Sequence, residues 1–168
     1  MQALSTVVRD HRHGRLREVM RAHRLDALLF TGADFFSFVS NHDMTDLAWE
    51  RPFLLVLPAT GASVAVLAEQ GRHLFEMEQK RGTLWVDDLV FYAETPHLLS
   101  GARPATEWRE LVAETLKARG LSRSRIGCDA ATGPLTGALS LLPEIDLVNA
   151  NAALRQTRTR RRGTNAVL

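Results

Sequence analysis

The chain has 168 residues, of which 45% are hydrophobic and 24% are charged. This length is enough for one domain with a single hydrophobic core, and the composition is typical of a folded globular protein. The formal net charge is +2, and the five arginines between Arg155 and Arg162 exceed it, so the rest of the chain is slightly acidic. The charge therefore does not indicate a folded basic surface for nucleic acid.

Cysteine content and hydropathy limit the class of protein further. Cys128 is the only cysteine, which excludes a disulfide framework and a cysteine-based metal cluster. The N-terminal segment lacks the apolar stretch of a signal peptide, and no run approaches the ~20 apolar residues of a membrane helix. We therefore expect a cytoplasmic protein.

The hydrophobic period alternates between 3.6 and 2 along the chain, which is typical of alternating helices and strands. It predicts a first helix that ends near Arg24, then a buried strand at residues 26–30 and a short aromatic helix or turn around Phe36. Residues 53–58 and 63–68 follow as two strands joined by a glycine-containing turn, a pattern typical of an antiparallel hairpin.

The second half of the chain continues the alternation. The pattern predicts a helix at residues 69–81, short strands at 83–87 and 90–92, a loop at 96–104 and a strongly periodic helix from Trp108 to a capping Gly120. A strand at 125–129, a helix between Pro134 and Pro143, a strand at 145–148 and a helix from about Ala150 complete the chain. The fold class predicted is α/β, with a mixed, mostly parallel sheet and helices on both faces.

Local motifs indicate little catalytic chemistry. The sequence contains no nucleophile elbow, phosphate-binding loop, zinc-binding HExxH helix or CxxC pair. His11 and His13 are conceivable metal ligands, but a solvated helix start is the favoured interpretation. His42 and Asp43 are conceivable as a base with its orienting acid, although adjacent side chains rarely face each other. Cys128 follows an apolar stretch and is expected to be buried rather than reactive.

Several phrases of the sequence resemble the creatinase, prolidase and aminopeptidase P family. They are LREVMRAHRLDALLFTGADFFSFVSN, RPFLLVLPATGASVAVL, GLSRSRIGCD and LLPEIDLVNANAALRQTR, which are similar in order and spacing to the helix and strands of that family's N-terminal domain. The resemblance spans roughly residues 15–158. It implies that residues 1–157 form a creatinase/prolidase-type N-terminal domain with a ribonuclease H-like motif in its sheet.

The resemblance ends at the last segment. The family normally continues with K-S-x-x-E-I into a catalytic domain, whereas this chain continues TRTRRRGTNAVL. The family's metal ligands, two Asp, one His and two Glu, belong to that catalytic domain, so no catalytic residue and no metal ligand is carried over. We expect the catalytic domain to be absent from this chain, and with it the divalent metals, such as Mn, Co or Zn. Residues 158–168 are expected to be a basic tail, disordered or a non-native terminus.

The resemblance implies a non-catalytic domain of an Xaa-Pro dipeptidase or creatinase-like metallohydrolase, serving dimerisation and substrate gating. In residues 40–52, Trp49 and Arg51 match an aromatic-x-Arg pair that contacts substrate in creatinase-like relatives, and His42 of the same loop is a third candidate. A guanidinium binds a carboxylate through two parallel hydrogen bonds, and a neighbouring indole excludes water. The implied substrate is a small peptide or amidino compound. For Arg51, an ion pair with Asp46 or Glu50 is the alternative.

The expected partner is a second copy of the chain, with no specific nucleic acid and no membrane. Apolar surface intended for a catalytic domain is expected at Phe36, Phe38, Leu47 and Trp49. Two other functions remain open at this stage. One is a free-standing small-molecule-binding or assembly module, and the other is a nucleic-acid-associated protein that uses the arginine-rich tail.

Overall fold

A computed structural model of the protein describes residues 5–44, 51–93, 103–104 and 107–158. Within these ranges the chain alternates between helices and strands, and a 3-10 turn at Glu69–Gly71 leads directly into the third helix. The elements are α1 (Thr6–His23), β1 (Ala27–Phe30), α2 (Ala33–Ser40), β2 (Leu54–Pro58), β3 (Val64–Ala68), α3 (Arg72–Lys80), β4 (Asp88–Ala93), β5 (Arg103–Pro104), α4 (Trp108–Ala118), β6 (Arg125–Cys128), α5 (Gly133–Leu139), β7 (Asp146–Asn149) and α6 (Asn151–Arg158).

The strands form one seven-stranded sheet in the order β5-β4-β3-β2-β1-β6-β7. β2 is antiparallel to both β1 and β3, which confirms the predicted hairpin. The pairs β1–β6, β6–β7, β3–β4 and β4–β5 are parallel. The sheet is therefore mixed and mostly parallel, as the sequence predicts.

Helices cover both faces of the sheet. Successive strand residues point to opposite sides, so the uniformly apolar strands present apolar side chains on each face. On one face, Leu28 and Phe30 of β1 belong to a core that includes residues of α1, α2, α3 and α6. On the other face, Ala27 and Leu29 pack in a second core with α4 and α5. All four β1 residues are buried, which explains why this strand is uniformly apolar in sequence.

Two predicted elements differ from the structure. Residues 83–87 are not a strand, because their backbone bonds to the end of α2 instead of to the sheet: Asn41 Nδ2 donates to Thr83 O over 2.9 Å and Trp85 N donates to Ser40 O over 2.8 Å. The place beside β3 is taken by β4, which begins at Asp88. The predicted loop at 96–104 ends in β5, whose Arg103 pairs with β4.

The aromatic residues of α2 are more buried than expected. Phe36 is fully buried, with its ring edge-to-face on Phe53 at 5.2 Å between centroids, so its predicted exposure was wrong. Phe38 is half-buried beneath the Arg12 guanidinium, 4.7 Å from the ring centroid. The other two candidates for exposed apolar surface, Leu47 and Trp49, lie outside the described residues. No helix in the described part of the chain is long and apolar enough to span a bilayer.

Candidate functional site

The segment after α2 brings the first candidate residue into the protein interior. α2 ends at Ser40, and Asn41 adopts a left-handed conformation with φ of 62°, which turns the chain back towards α3. The His42 backbone N–H then donates to Ser40 Oγ over 3.1 Å, and residue 42 is only 7% exposed. This turn therefore places a polar ring among buried neighbours.

The partner of the His42 ring is a carboxylate far along the chain. Nδ1 of His42 lies 2.7 Å from Oε2 of Glu78 in α3, and because a carboxylate only accepts, Nδ1 is the donor. The acid that the structure places at Nδ1 of His42 is therefore Glu78 and not the neighbouring Asp43, in line with the expectation that adjacent side chains rarely face each other. Glu78 is itself about three-quarters buried, which makes the contact stronger than an exposed ion pair.

Phe75 connects His42 to the second candidate, Arg51. The His42 ring lies over the Phe75 ring with 4.1 Å between centroids and an angle of 36° between planes. Phe75 also lines a small apolar cavity of about 90 Å³, and Arg51, Met44 and Leu67 line the same cavity. Phe75 thus contacts the His42 ring and lines the same cavity as Arg51.

The backbone next to Arg51 is anchored to the sheet. Tyr92, which is fully buried in β4, donates its hydroxyl proton to the carbonyl oxygen of Pro52 over 2.7 Å. The cavity beside Arg51 is well below the roughly 300 Å³ of a typical small-molecule pocket, so it cannot enclose a dipeptide by itself. Trp49 lies outside the described residues, and its place beside Arg51 stays a prediction.

A second buried histidine has a structural role that the sequence pattern did not indicate. His13 of α1 is 8% exposed, and its Nε2–H donates to Val39 O over 2.9 Å, so the expected solvated helix start is wrong for this residue. Burial lowers the pKa of His13, and the nearby charges of Arg17 and Arg9 lower it further, against the raising effect of the Val39 hydrogen bond.

Among the described residues no group of His, Cys, Asp and Glu is arranged to bind a metal ion.

A buried carboxylate that accepts several hydrogen bonds lies at the end of β6. Cys128 is buried as expected, and burial raises the pKa of its thiol. Asp129 is 3% exposed and accepts four hydrogen bonds from the turn after β1 and from its own neighbour: from N of Thr31 (2.9 Å), Oγ1 of Thr31 (3.2 Å), N of Gly32 (2.8 Å) and N of Ala130 (2.8 Å). Burial raises the pKa of Asp129, although these hydrogen bonds counteract the shift.

The comparison with protein families decides the identity of the domain. The sequence profile of the Creatinase/Prolidase N-terminal domain matches residues 12–159. This chain belongs to that family. None of the curated proteins matches the creatinase/prolidase domain described here.

Solved structures have the same fold as this creatinase/prolidase domain. The N-terminal domain of a cytoplasmic peptidase from Mycobacterium tuberculosis H37Rv superposes with a TM-score of 0.57 and 17% identity, covering 88% of this chain and 98% of that one. A proline dipeptidase from Streptococcus pneumoniae TIGR4 gives a TM-score of 0.63 and 12% identity, with 86% and 95% covered. A dipeptidase from Mycobacterium ulcerans gives 0.61 and 22%, with 94% of this chain but only 38% of that one covered.

Proposed function

We propose that this chain is the non-catalytic domain of an Xaa-Pro dipeptidase or creatinase-like metallohydrolase, in which it mediates dimerisation and controls substrate access. The family match over residues 12–159 supports this assignment. The metal ions of such an enzyme, Mn, Co or Zn, belong to its catalytic domain. The similarity to the domain of a cytoplasmic peptidase supports a cytoplasmic location.

The observation that best supports substrate gating is that Phe75 contacts the His42 ring and lines the same cavity as Arg51. The Glu78 hydrogen bond fixes the orientation of the His42 ring, and that ring fixes one face of Phe75. Arg51 borders the same small apolar cavity as Phe75, where a charged hydrogen bond to a ligand would be stronger than in bulk water. In this proposal Arg51 binds a substrate carboxylate, His42 positions the Phe75 ring, and Trp49 covers the contact.

A chimeric enzyme tests the role of Arg51. This chain would replace the equivalent N-terminal segment of the Mycobacterium ulcerans dipeptidase, and kcat/KM would be measured for a dipeptide and for its C-terminal carboxamide. We expect Arg51→Ala to lower kcat/KM for the dipeptide by about tenfold to a hundredfold, the value of one charged hydrogen-bonded contact, and to leave the carboxamide nearly unaffected. Arg51→Lys should restore part of the loss, since it keeps the charge but not the planar fork.

The matched control is Arg123→Ala, because Arg123 is an exposed arginine that pairs with Glu144 on the surface. It should leave both substrates unchanged. Equal losses of the two substrates in the Arg51→Ala enzyme would contradict the carboxylate contact and indicate a defect of folding or assembly.

The isolated chain tests the other parts of the proposal. Multi-angle light scattering should show a concentration-dependent dimer, and a monomer at every concentration would contradict the dimerisation role. With added Mn, Co or Zn the chain should not hydrolyse Xaa-Pro dipeptides, and turnover above a metal-only control would contradict its non-catalytic character.

A further inference from the structure

A cavity lies at the carboxyl ends of the parallel strands β1, β6 and β7. Its volume is about 610 Å³, within the roughly 300–1,000 Å³ of small-molecule sites. The helix that follows β1, α2, packs on one face of the sheet, while α5, which follows the adjacent β6, packs on the other. Strands whose connections leave in opposite directions create a crevice outside their carboxyl ends, which is where open α/β sheets bind ligands.

One wall of the cavity is cationic. Arg155 donates one hydrogen bond, from Nε to Oδ1 of Asn151 over 2.7 Å, and Arg158 donates one, from Nη1 to Oδ2 of Asp34 over 3.2 Å. A guanidinium has five N–H donors, so in the described part of the chain most donors of both arginines have no protein acceptor. Arg158 is also held over the Phe35 ring, 5.3 Å from its centroid. The two guanidinium groups are therefore held in place, and each keeps N–H donors that could bind a ligand.

The cavity lining also contains a buried carboxylate. Asp129 lines the cavity, and while its Oδ1 accepts three hydrogen bonds, its Oδ2 accepts only the one from Gly32 N. A carboxylate oxygen has two lone pairs, so Oδ2 retains an acceptor position. Asn151 connects Asp129 to Arg155, because its Nδ2 donates to the backbone oxygen of Asp129 over 2.7 Å while its Oδ1 accepts from Arg155.

The charges of the cavity select the chemistry of the ligand. Two arginines and two aspartates, Asp34 and Asp129, line it, so a dianion such as phosphate would meet both attraction and repulsion. A small zwitterion matches both kinds of charge: its carboxylate pairs with a guanidinium fork, and its ammonium supplies the donor for Oδ2 of Asp129. We propose that this cavity binds a free α-amino acid, with its carboxylate on Arg155 and Arg158 and its ammonium on Asp129.

This amino-acid cavity is separate from the Arg51 surface. The cavity lies at the start of α2 and His42 lies beyond its end, and a helix of eight residues is about 12 Å long. Binding to the cavity and substrate handling at Arg51 can therefore succeed or fail independently.

Isothermal titration calorimetry of the full chain with L-alanine tests the proposal. Acetate and methylammonium each provide half of the zwitterion, and inorganic phosphate provides a competing anion. We expect saturable binding of L-alanine, with each half-ligand weaker by about tenfold or more because one charged contact is lost. Absence of saturable L-alanine binding would overturn the proposal, and so would acetate or phosphate binding as tightly as L-alanine.

Three variants locate the binding. Arg155→Gln and Arg158→Gln should each weaken L-alanine binding by about tenfold to a hundredfold, whereas Arg123→Gln, an exposed arginine elsewhere, should leave it unchanged. Melting temperatures report whether each variant folds. If Arg155→Gln does not fold, Arg158→Gln decides alone, because it loses only an exposed ion pair and a ring contact. Wild-type affinity in the folded Arg158→Gln protein would overturn the assignment.

Discussion

Replacement of Asp129 by alanine removes the acceptor that joins β6 to the turn after β1. In the folded protein this carboxylate accepts from the backbone N–H groups of Thr31, Gly32 and Ala130. These donors lie next to a side chain that is 3% exposed, so bulk water does not readily replace the carboxylate. The Asp129→Ala protein must therefore leave them unsatisfied or admit water through the adjacent cavity.

The size of the loss follows from the three donors. An unsatisfied buried donor costs about 1–3 kcal/mol, and partial hydration through the cavity favours the lower end, so we expect Asp129→Ala to lower the free energy of unfolding by about 3 kcal/mol. For a domain of this length that corresponds to a melting temperature lower by about 6–12 °C. Urea unfolding followed by circular dichroism measures the free energy directly.

Two further variants make the test specific. Asp146→Ala removes an exposed carboxylate that pairs with Arg125 on the edge of the sheet, and it should cost about 0–1 kcal/mol. Asp129→Asn can keep the acceptor oxygen at Oδ1 but sets an amide donor against the Gly32 N–H group at Oδ2, and it should cost less than alanine, about 1 kcal/mol. A loss below 1 kcal/mol for Asp129→Ala, or a loss equal to that of Asp146→Ala, would refute the anchoring role.

The pH dependence of the Asp129→Asn effect has a defined sign. Burial raises the pKa of Asp129 in the folded state above the unfolded value of about 3.9, so the folded state binds more protons between these two pKa values. The stability gained from the protonated carboxyl is fully present below about pH 3.9 and is lost as pH rises through the folded-state pKa. The wild-type protein should therefore lose stability relative to Asp129→Asn as pH rises through this window, and a constant difference would contradict the raised pKa.

Three other changes follow from the same contacts. Burial lowers the pKa of His13 below the unfolded value of about 6.5, so the stability that this histidine contributes should be complete above about pH 6.5 and be lost as pH falls from there through the folded-state pKa. In urea unfolding, His13→Gln should reduce this loss of stability in acid, whereas replacement of the exposed His11 by Gln should leave the loss unchanged. Gly32→Ala would place a Cβ 2.8 Å from Oδ2 of Asp129 and should destabilise the protein by about 1–3 kcal/mol, whereas Gly14→Ala, with open space in α1, should stabilise it by about 0.5–1 kcal/mol in the same assay. Glu78→Gln weakens the hydrogen bond to the buried imidazole and should lower the melting temperature, with an unchanged value contradicting a structural role for the pair.

The sequence by itself determined the order and type of most elements. The strands β1, β2 and β3 are uniformly apolar and the helix α4 is strictly periodic, so each was predicted within a residue or two of its observed bounds. The reason is that the spacing of apolar residues shows whether a helix or strand is buried on one face or on two, and this spacing can be recognised without knowing which elements pack against it. The strand prediction for residues 83–87 was wrong for a related reason: the apolar residues of this segment are buried, as in a strand, but they lie outside the sheet.

Only the tertiary structure decided which polar groups meet. His42 pairs with Glu78, 36 residues away, instead of with its neighbour, and Asp129 bonds to Thr31, 98 residues away. His13 was expected in solvent, but the last turn of α2 packs beside α1 and provides a buried carbonyl oxygen for it at Val39. The amino-acid cavity likewise depends on three parallel strand ends that are far apart in sequence. Such contacts follow from strand order and from the face on which each helix packs, and neither property is encoded in a local period.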